Sequence, residues 1–234
     1  LIERTDRTEQ RMGIYRISRE FTRLDEHILS AGGNYRRDFT IGSFEPTLKA
    51  GIYGEYRTRT YNARQFQYGW QPQNNLPAGF LFWEDVQGRL LQDENYGPDK
   101  LYLYEEVNFL NNYKGEQTQL AGYIGINFPI GAFNIYAGVR YEYNRQVLKM
   151  NTRQYEESLQ STAYNNNDLF PSLNVIYKLS EKHQLRAAYG RSVNRPEFRE
   201  LSTSVYYDFE LGSSVMGNYD LKSAYIDNFD LRYE

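Results

Sequence analysis

The segment TQLAGYIGINFPIGAFNIYAGVRYEYN, residues 118–144, alternates apolar with small or polar side chains around the turn PIGAF. The apolar positions are Leu120, Gly122, Ile124, Ile126 and Phe128 before the turn, and Ile135, Ala137, Val139, Tyr141 and Tyr143 after it. Successive side chains of a β-strand point to opposite faces, so a period of two indicates strands. The segment therefore predicts a β-hairpin with one apolar face and one polar face.

The same alternation recurs along the chain. It is found in residues 27–39, 45–61, 168–179, 183–193 and 223–234. With the hairpin, these segments predict seven strands, and residues 11–21 are a candidate for an eighth. The predicted strands are longer than the usual ~5–6 residues and close to the ~9–11 needed to cross a bilayer at a tilt.

The connections between these strands alternate strictly between short and long. The short ones are TIGSFEP, FPIGAF and LSEKH, and the long ones are residues 69–116, 149–167 and 195–221. In an antiparallel sheet, this places all short turns at one end and all long loops at the other, as in outer-membrane barrels. A soluble β-sandwich stays open as an alternative, because period two alone does not separate the two classes.

Tyrosines support the membrane interpretation. The chain has 23 tyrosines and two tryptophans, and the apolar faces tend to finish in an aromatic ring. These rings are Tyr56, Tyr141, Tyr143, Tyr177 and Tyr233. An apolar ring with a polar hydroxyl suits the membrane interface, so they predict the aromatic girdles of a barrel.

Composition excludes several classes of protein. The net charge of −3 argues against a nucleic-acid binder, and the absence of cysteine excludes disulfides and thiol catalysis. No run of ~18 apolar residues predicts a membrane-spanning helix, and the first residues carry no signal-peptide pattern. The mean hydropathy of −0.75 agrees with a barrel in which only alternate strand residues meet lipid.

The stretch YGRSVNRPEFRELS, residues 189–202, starts as a strand and then places a proline among charges. Proline cannot donate to a strand ladder, so pairing should end there. We expect Pro196 at the first position of a helical turn, with Glu197 in that turn and Phe198 and Leu201 packed on the barrel rim. Contact of a ligand with Arg195, Glu197 or Arg199 is the alternative interpretation.

This stretch and the one that follows it resemble the late-barrel signature of TonB-dependent outer-membrane receptors and transporters. That signature is an Arg-x-Pro…Glu-Leu element followed by a Gly-Asn-Pro-x-Leu turn. The matching residues are Arg195, Pro196, Glu200, Leu201, Gly217, Asn218 and Leu221. The sequence departs from the family at Tyr219, where proline is usual, and at KSA, where a Pro-Glu pair is common. The match is strongest over residues 117–234.

The resemblance implies an all-β, antiparallel transmembrane β-barrel of about 22 strands, with short periplasmic turns and long extracellular loops. It also implies a plug domain, energy supplied by the TonB complex, contact with outer-membrane lipid, and a small ligand. We expect residues 1–234 to be part of that barrel domain, about seven or eight strands, located in the outer membrane. The plug, the TonB box and the remaining strands would lie outside it.

Two sets of residues are candidates for binding. The first consists of charged residues on the polar face, which in a barrel lumen would pair across strands and hold the plug, or form only a solvated charge ladder. These are Lys49, Glu55, Arg57, Arg140, Glu142, Arg186, Asp230 and Arg232. The second consists of aromatic residues of loop 69–116, either stacked on a ligand or packed in a small core of the loop. These are Trp70, Trp83, Tyr96 and Tyr102.

Nothing in the sequence indicates an enzyme, a cofactor or a metal site. Barrel hydrolases need a histidine near the outer rim with an acid or serine partner, whereas His183 lies in a short turn at the proposed periplasmic end and His27 opens a strand. No cluster of His, Asp or Glu has metal-ligand spacing. We therefore expect TonB-energised uptake of a scarce ligand: a siderophore, haem, an oligosaccharide or a peptide. The alternatives are a passive porin or adhesin barrel and a soluble β-sandwich binding module.

Overall fold

A computed structural model describes residues 2–4, 12–14, 18–70, 92–97, 101–152 and 159–234. The strands are β1 (Ile2–Arg4), β2 (Met12–Ile14), β3 (Ser18–Asp38), β4 (Thr47–Trp70), β5 (Leu101–Glu106), β6 (Tyr113–Ile130), β7 (Phe133–Asn151), β8 (Leu159–Lys178), β9 (Gln184–Asn194), β10 (Val205–Asp208), β11 (Ser213–Met216) and β12 (Ala224–Tyr233). The helical elements are two 3₁₀ turns, Asp93–Asn95 and Phe109–Asn111, and the helix α1 (Phe198–Leu201). In the described part of the chain, no helix has the length and apolar character needed to cross a membrane.

The main sheet has eight strands, as predicted. Its order is β12-β9-β8-β7-β6-β4-β3, every pair is antiparallel, and β5 pairs with the end of β4 beyond β6. The candidate eighth strand at residues 11–21 is wrong, because Met12–Ile14 pairs with Ile2–Arg4 in a separate sheet and Ser18 already begins β3. The eighth strand is instead β5, inside the predicted loop 69–116.

All short turns lie at one end of the sheet. Gly131 and Ala132 join β6 to β7, and Gly131 has a φ of 57° that favours glycine. Residues 39–46 join β3 to β4 around a bridge between Ile41 and Phe44, with Gly42 at a φ of 64°. Residues 179–183 join β8 to β9, and the longer connections lie at the opposite end of the sheet. We call the two ends the short-turn end and the long-loop end.

The strands extend further toward the long-loop end than the hydrophobic pattern indicates. Strand β7 continues to Asn151 and β8 already begins at Leu159, so most of the predicted loop 149–167 is strand. The 24 residues of β4 are about 80 Å long at ~3.3 Å per residue, more than a bilayer needs. Outside the membrane both faces of a strand are polar, so the alternation stops while the backbone ladder continues.

Burial on the main sheet is the reverse of a soluble core. On the apolar face, Ile52 is 73% exposed and Leu231 is 81% exposed, whereas on the polar face Asn144 is 1% exposed and Gln146 is 4% exposed. In a sandwich, a second sheet would cover the apolar side chains, and the described residues provide no such layer. A continuous apolar face of this size is stable against lipid rather than water. The soluble β-sandwich alternative is therefore wrong.

The apolar face forms a band with a sloping upper edge. Counting toward the long-loop end, the unbroken run of apolar or small residues on each strand ends at Leu29, Tyr56, Leu120, Tyr143, Leu169, Tyr189 and Phe229. Followed through the strand pairing, the edge moves toward the short-turn end from one strand to the next. It moves by two residues from β4 to β6, by two from β7 to β8 and by four from β8 to β9. The edges of the other three strand pairs are level.

This slope measures how far the strands tilt. A step of eight residues over six strand pairs corresponds to a tilt of about 40°, at ~3.3 Å per residue and ~4.8 Å per strand. Strands in barrels tilt by about 35–45°. At that tilt, a band of nine to eleven residues is roughly 25 Å tall, the height of the apolar band on outer-membrane barrels.

Aromatic rings mark both edges of the band. At the short-turn end, Phe133 stacks on Tyr177 with ring centroids 4.5 Å apart, and Tyr233 stacks on His183 at 5.6 Å. At the long-loop end, the predicted interface residues Tyr56 and Tyr141 are each 47% exposed on the apolar face. These two rows of rings occupy the levels at which amphipathic side chains meet the membrane interface.

Candidate functional site at the long-loop end

The predicted charged residues of the polar face do share one face of the sheet. The strand register aligns Lys49, Glu55, Arg57, Arg140, Glu142, Arg186, Asp230 and Arg232 on it. Most of their ion pairs run along a strand instead of across strands: Arg140 Nε lies 2.6 Å from Glu142 Oε1, and Arg57 Nη2 lies 3.2 Å from Glu55 Oε1. Residues two apart on a strand are on the same face and within reach of an arginine, so the expected cross-strand pairing was wrong for these pairs.

Arg195 joins three separate strands at the long-loop end of the polar face. It follows the last residue of β9, and its Nη1 and Nη2 atoms each lie 2.8 Å from a carboxylate oxygen, of Glu142 on β7 and Asp168 on β8. The hydroxyl of Tyr225 on β12 donates to the other oxygen of Asp168 at 2.6 Å. We call these four residues the arginine knot.

The arginine knot is largely shielded from water. The exposed fractions of the Arg195, Glu142 and Asp168 side chains are 13%, 10% and 8%. Burial alone would lower the pKa of the Arg195 guanidinium, but hydrogen bonds and charge from Asp168 and Glu142 outweigh burial and raise it. Arg195 is thus a fixed cation held by the sheet, and its two outer nitrogens are occupied.

Helix α1 folds over the polar face immediately after this arginine. Phe198 and Leu201 are buried against Tyr113, Leu148 and Met150, which lie on the polar face of β6 and β7. The backbone N–H of Glu197 donates to Glu200 Oε2 at 2.9 Å and closes the first turn. The predicted packing of Phe198 and Leu201 is confirmed. The helix begins at Phe198, however, so Pro196 precedes its N-cap residue Glu197 instead of occupying the first helical position.

The two halves of the sequence motif meet beside α1. The backbone N–H of Asn218 donates to the carbonyl of Glu200 at 2.6 Å. A Cβ atom on Gly217 would lie 2.5–2.6 Å from the carbonyl oxygens of Arg199, Glu200 and Ser202, so this approach requires glycine.

The turn that follows starts at Asn218. Its Oδ1 accepts from the N–H of Asp220 at 2.9 Å, and its carbonyl accepts from Leu221 at 3.3 Å. The departure at Tyr219 leaves this turn intact, and the Tyr219 carbonyl accepts a hydrogen bond from the Tyr164 hydroxyl. Residues 195–201 and 217–221 therefore form one folded unit, the rim unit.

Replacing Gly217 with alanine should displace the second half of the rim unit from α1. The new methyl group would meet three backbone oxygens, which cannot move aside as a side chain can, so we expect a loss of about 2 kcal/mol in unfolding free energy. Thermal unfolding of the purified protein in detergent measures the loss. Gly190→Ala is the matched control, because a Cβ atom there meets nothing within 4 Å. Equal stability of the two variants would contradict the close approach.

A polar cleft of about 210 Å³ lies on the polar face below α1. Its lining includes Glu55, Arg57, Gln117, Gln146 and Arg195. Gln146 Nε2 donates to the carbonyl of Pro196 at 3.2 Å. The Nε atoms of Arg57 and Arg195 are buried without a hydrogen-bond partner. The cleft is lined by charged and amide side chains, so it can accept a ligand or protein segment that presents polar groups.

Several residues of this region escaped the sequence prediction. Asp168 and Tyr225 complete the arginine knot, and Asn144 and Gln146 lie beside the cleft. Asp168 directly precedes the alternating segment 169–177, so strand parity would have placed it on the polar face with Glu142. The partnership with Arg195 had no signal in the sequence, because it joins residues 27 apart where β9 leaves the sheet.

The aromatic loop residues lie apart from the cleft. Tyr96 packs edge-on against Tyr68 with centroids 6.1 Å apart, and Tyr102 packs beside Tyr104 at 5.7 Å. Trp70 is the last residue of β4, and Trp83 lies outside the described residues. Tyr102 and Tyr104 are 41% and 40% exposed and are open to solvent. Among the residues that the structure describes, no three His, Cys, Asp or Glu side chains form a metal-binding group.

Comparison with solved structures finds similar folds at low identity. The siderophore receptor PiuA from Acinetobacter baumannii is 11% identical with a TM-score of 0.47, over 74% of this chain and 24% of that one. The ferric-catecholate import receptor Fiu from K12 E. coli is 19% identical, with a TM-score of 0.47 over the same shares. The ferric citrate transporter FecA is 16% identical, with a TM-score of 0.46 over 76% and 22%. The chain thus spans about a quarter of the length of these proteins.

Family membership rests on a different comparison. No curated protein matches the chain. Residues 90–234, more than half of the chain, match the model of the Outer membrane protein beta-barrel family. This match covers β5 to β12 together with the rim unit, and it agrees with the lipid-facing band and the sorted turns. The chain belongs to the outer membrane protein beta-barrel family, and its place is the outer membrane.

Proposed function

We propose that this chain is part of a receptor that takes up a scarce small ligand across the outer membrane with energy from TonB. The rim unit is the observation that carries the proposal. Its residues are the ones that resemble the signature of TonB-dependent receptors, and Gly217 and Asn218 pack directly on α1. A siderophore, haem, an oligosaccharide and a peptide are the candidate ligands.

The polar face supplies the surface that such a receptor needs. In the complete barrel it would form the inner wall, with Glu55, Arg57, Arg140 and Glu142 facing the plug domain. The charged and amide side chains that line the cleft below α1 can bind polar atoms of the plug or of the ligand. We propose no enzymatic step, since the side chains that approach one another here are ion pairs and amides.

A passive porin or adhesin barrel is the second candidate, because a polar inner face with sorted loops fits that class as well. The two differ in their need for energy. We expect ligand uptake by cells that express the intact receptor to stop when tonB is deleted or when the proton gradient is dissipated. The measurement is accumulation of radiolabelled ligands from each of the four classes. Uptake that is equal with and without tonB would support the porin instead.

A further inference from the structure

Three basic residues stand above the apolar band on the outward face of β6 and β7. Lys114 and Lys149 lie directly opposite each other in the strand register. Arg145 lies four residues before Lys149, on the same face as Leu120 and Tyr143. We call these three residues the outer basic patch. All three are exposed to solvent.

The outer basic patch has three positive charges and fewer acids beside it. Like charges directly opposite each other on neighbouring strands destabilise a sheet. One acid is near: Glu116 Oε1 lies 3.9 Å from Lys149 Nζ. Within the described ranges, neither Lys114 nor Arg145 forms an ion pair. Other outward arginines do, since Arg23 pairs with Asp25 and Arg64 with Glu105, both at 2.8 Å. An anion from outside the chain would relieve the repulsion at the patch.

The patch presents its charges at two heights above the membrane. Arg145 is two residues beyond Tyr143, so it lies about 5 Å above the band at ~3.3 Å per residue and a tilt of about 40°. Lys114 and Lys149 are six residues beyond Leu120 and Tyr143, or about 15 Å above it by the same geometry. The headgroup region of an ordinary bilayer adds only ~5–7 Å on each side. A phospholipid phosphate can therefore reach Arg145 but not the lysine pair.

The neighbours of the patch suit a sugar-bearing anion. The residues paired with Arg145 on the adjacent strands are Thr118 and Asn165, and Ser161 pairs with Lys149. Hydroxyl and amide groups beside ammonium and guanidinium groups bind phosphate and saccharide oxygens together.

We propose that the outer basic patch binds a phosphorylated glycolipid of the outer leaflet. One anionic group of its headgroup lies at Arg145, and a second, attached to the saccharide about 10 Å further out, lies between Lys114 and Lys149. The site is outside the barrel and separate from the polar cleft. It does not depend on TonB or on the transported ligand.

The test uses the purified full-length receptor in detergent and four probes. They are lipopolysaccharide with a phosphorylated core, lipid A without core sugars, phosphatidylglycerol and inorganic phosphate. Affinities are measured by native mass spectrometry for the lipids and by thermal shift for phosphate. We expect the double variant Lys114→Gln/Lys149→Gln to weaken binding of the core-phosphorylated glycolipid about thirtyfold and leave lipid A and phosphatidylglycerol unchanged. Arg145→Gln should weaken all three lipids about fivefold.

Arg23→Gln is the matched control. It removes one outward charge six residues above Leu29, at the height of the lysine pair, but from an arginine that already has an acid partner. It should leave every affinity unchanged. The proposal is overturned if the double variant binds the core-phosphorylated glycolipid as tightly as the wild type. Equal affinity of the wild type for phosphatidylglycerol and that glycolipid, or competition by inorganic phosphate at equal concentration, would overturn it as well.

Discussion

Replacing Arg195 with methionine should be among the most destabilising single changes in the described part of the chain. The variant leaves Glu142 and Asp168 about nine-tenths buried without the guanidinium that joins them. Methionine fills similar space, so the loss comes from the charges and not from a cavity. We expect the unfolding free energy to fall by about 3 kcal/mol, the low end for breaking a buried ion pair, because Arg140 and Tyr225 still bind the two carboxylates.

Urea titration of the intact protein in lipid vesicles measures this loss. Arg191→Met is the matched control: Arg191 is 41% exposed and lies 4.0 Å from Asp227, so its removal should cost under about 1 kcal/mol. Arg195→Lys should fall between the two, since one ammonium group cannot make the two parallel contacts of a guanidinium. A loss for Arg195→Met no larger than the loss for Arg191→Met would show that the arginine knot does not hold the strands together.

Placing an arginine at Ile124 should test the membrane assignment directly. Ile124 lies near the middle of the apolar band on β6 and is 52% exposed. A charge at the middle of the bilayer costs about 2–4 kcal/mol on the lipid face of a barrel, and near the interface it costs about 0–1 kcal/mol. Ile124→Arg should therefore lower the unfolding free energy in lipid vesicles by about 3 kcal/mol.

Thr118→Arg provides the matched control on the same strand and the same face. It lies just beyond Leu120, the last apolar residue of β6, so its cost should be about 0–1 kcal/mol. Because Thr118 pairs with Arg145, its cost includes a like-charge contact, so the difference between the two variants is a lower bound on the effect of depth in the membrane. Equal stability of the two variants would contradict the proposed band, because an exposed isoleucine in water tolerates arginine at little cost.

The membrane-spanning part of the fold could be predicted from the sequence because lipid imposes a strict rule. Every second residue from Leu120 to Phe128 and from Phe133 to Tyr143 must be apolar or small, and the short turn between them needs Gly131. Above Tyr143 the rule is relaxed, since water accepts both faces of the strand. The segments 149–151 and 159–167 therefore gave no alternating pattern, although the structure extends both strands through them.

The candidate site was predictable in its parts but not in its assembly. Pro196 predicts the end of a ladder, which holds in the structure, whereas Gly217 was named only as a motif residue and its close approach to α1 was not predicted. The residues that Pro196 and Gly217 contact depend on the strand register and on the residue at which β9 leaves the sheet. Neither can be predicted from the residues next to them in the sequence. Asp168 shows the difficulty, because a single acid after three asparagines has no sequence feature that assigns it to an arginine 27 residues away.

The ladder between β8 and β9 ends at Ser172, beside Pro171, although β8 continues to pair with β7 past the proline. Above this point β8 contacts residues 219–225 through hydrogen bonds of its side chains, those of Tyr164, Asn166 and Asp168. Side-chain contacts leave backbone amides less protected than a ladder does. Hydrogen exchange should therefore divide β8 into two zones: its amides below Pro171 exchange only with global unfolding, while the amides above it that point toward β9 exchange by local opening. Because Arg195 joins β7, β8 and the end of β9 above that point, Arg195→Met should speed this local exchange.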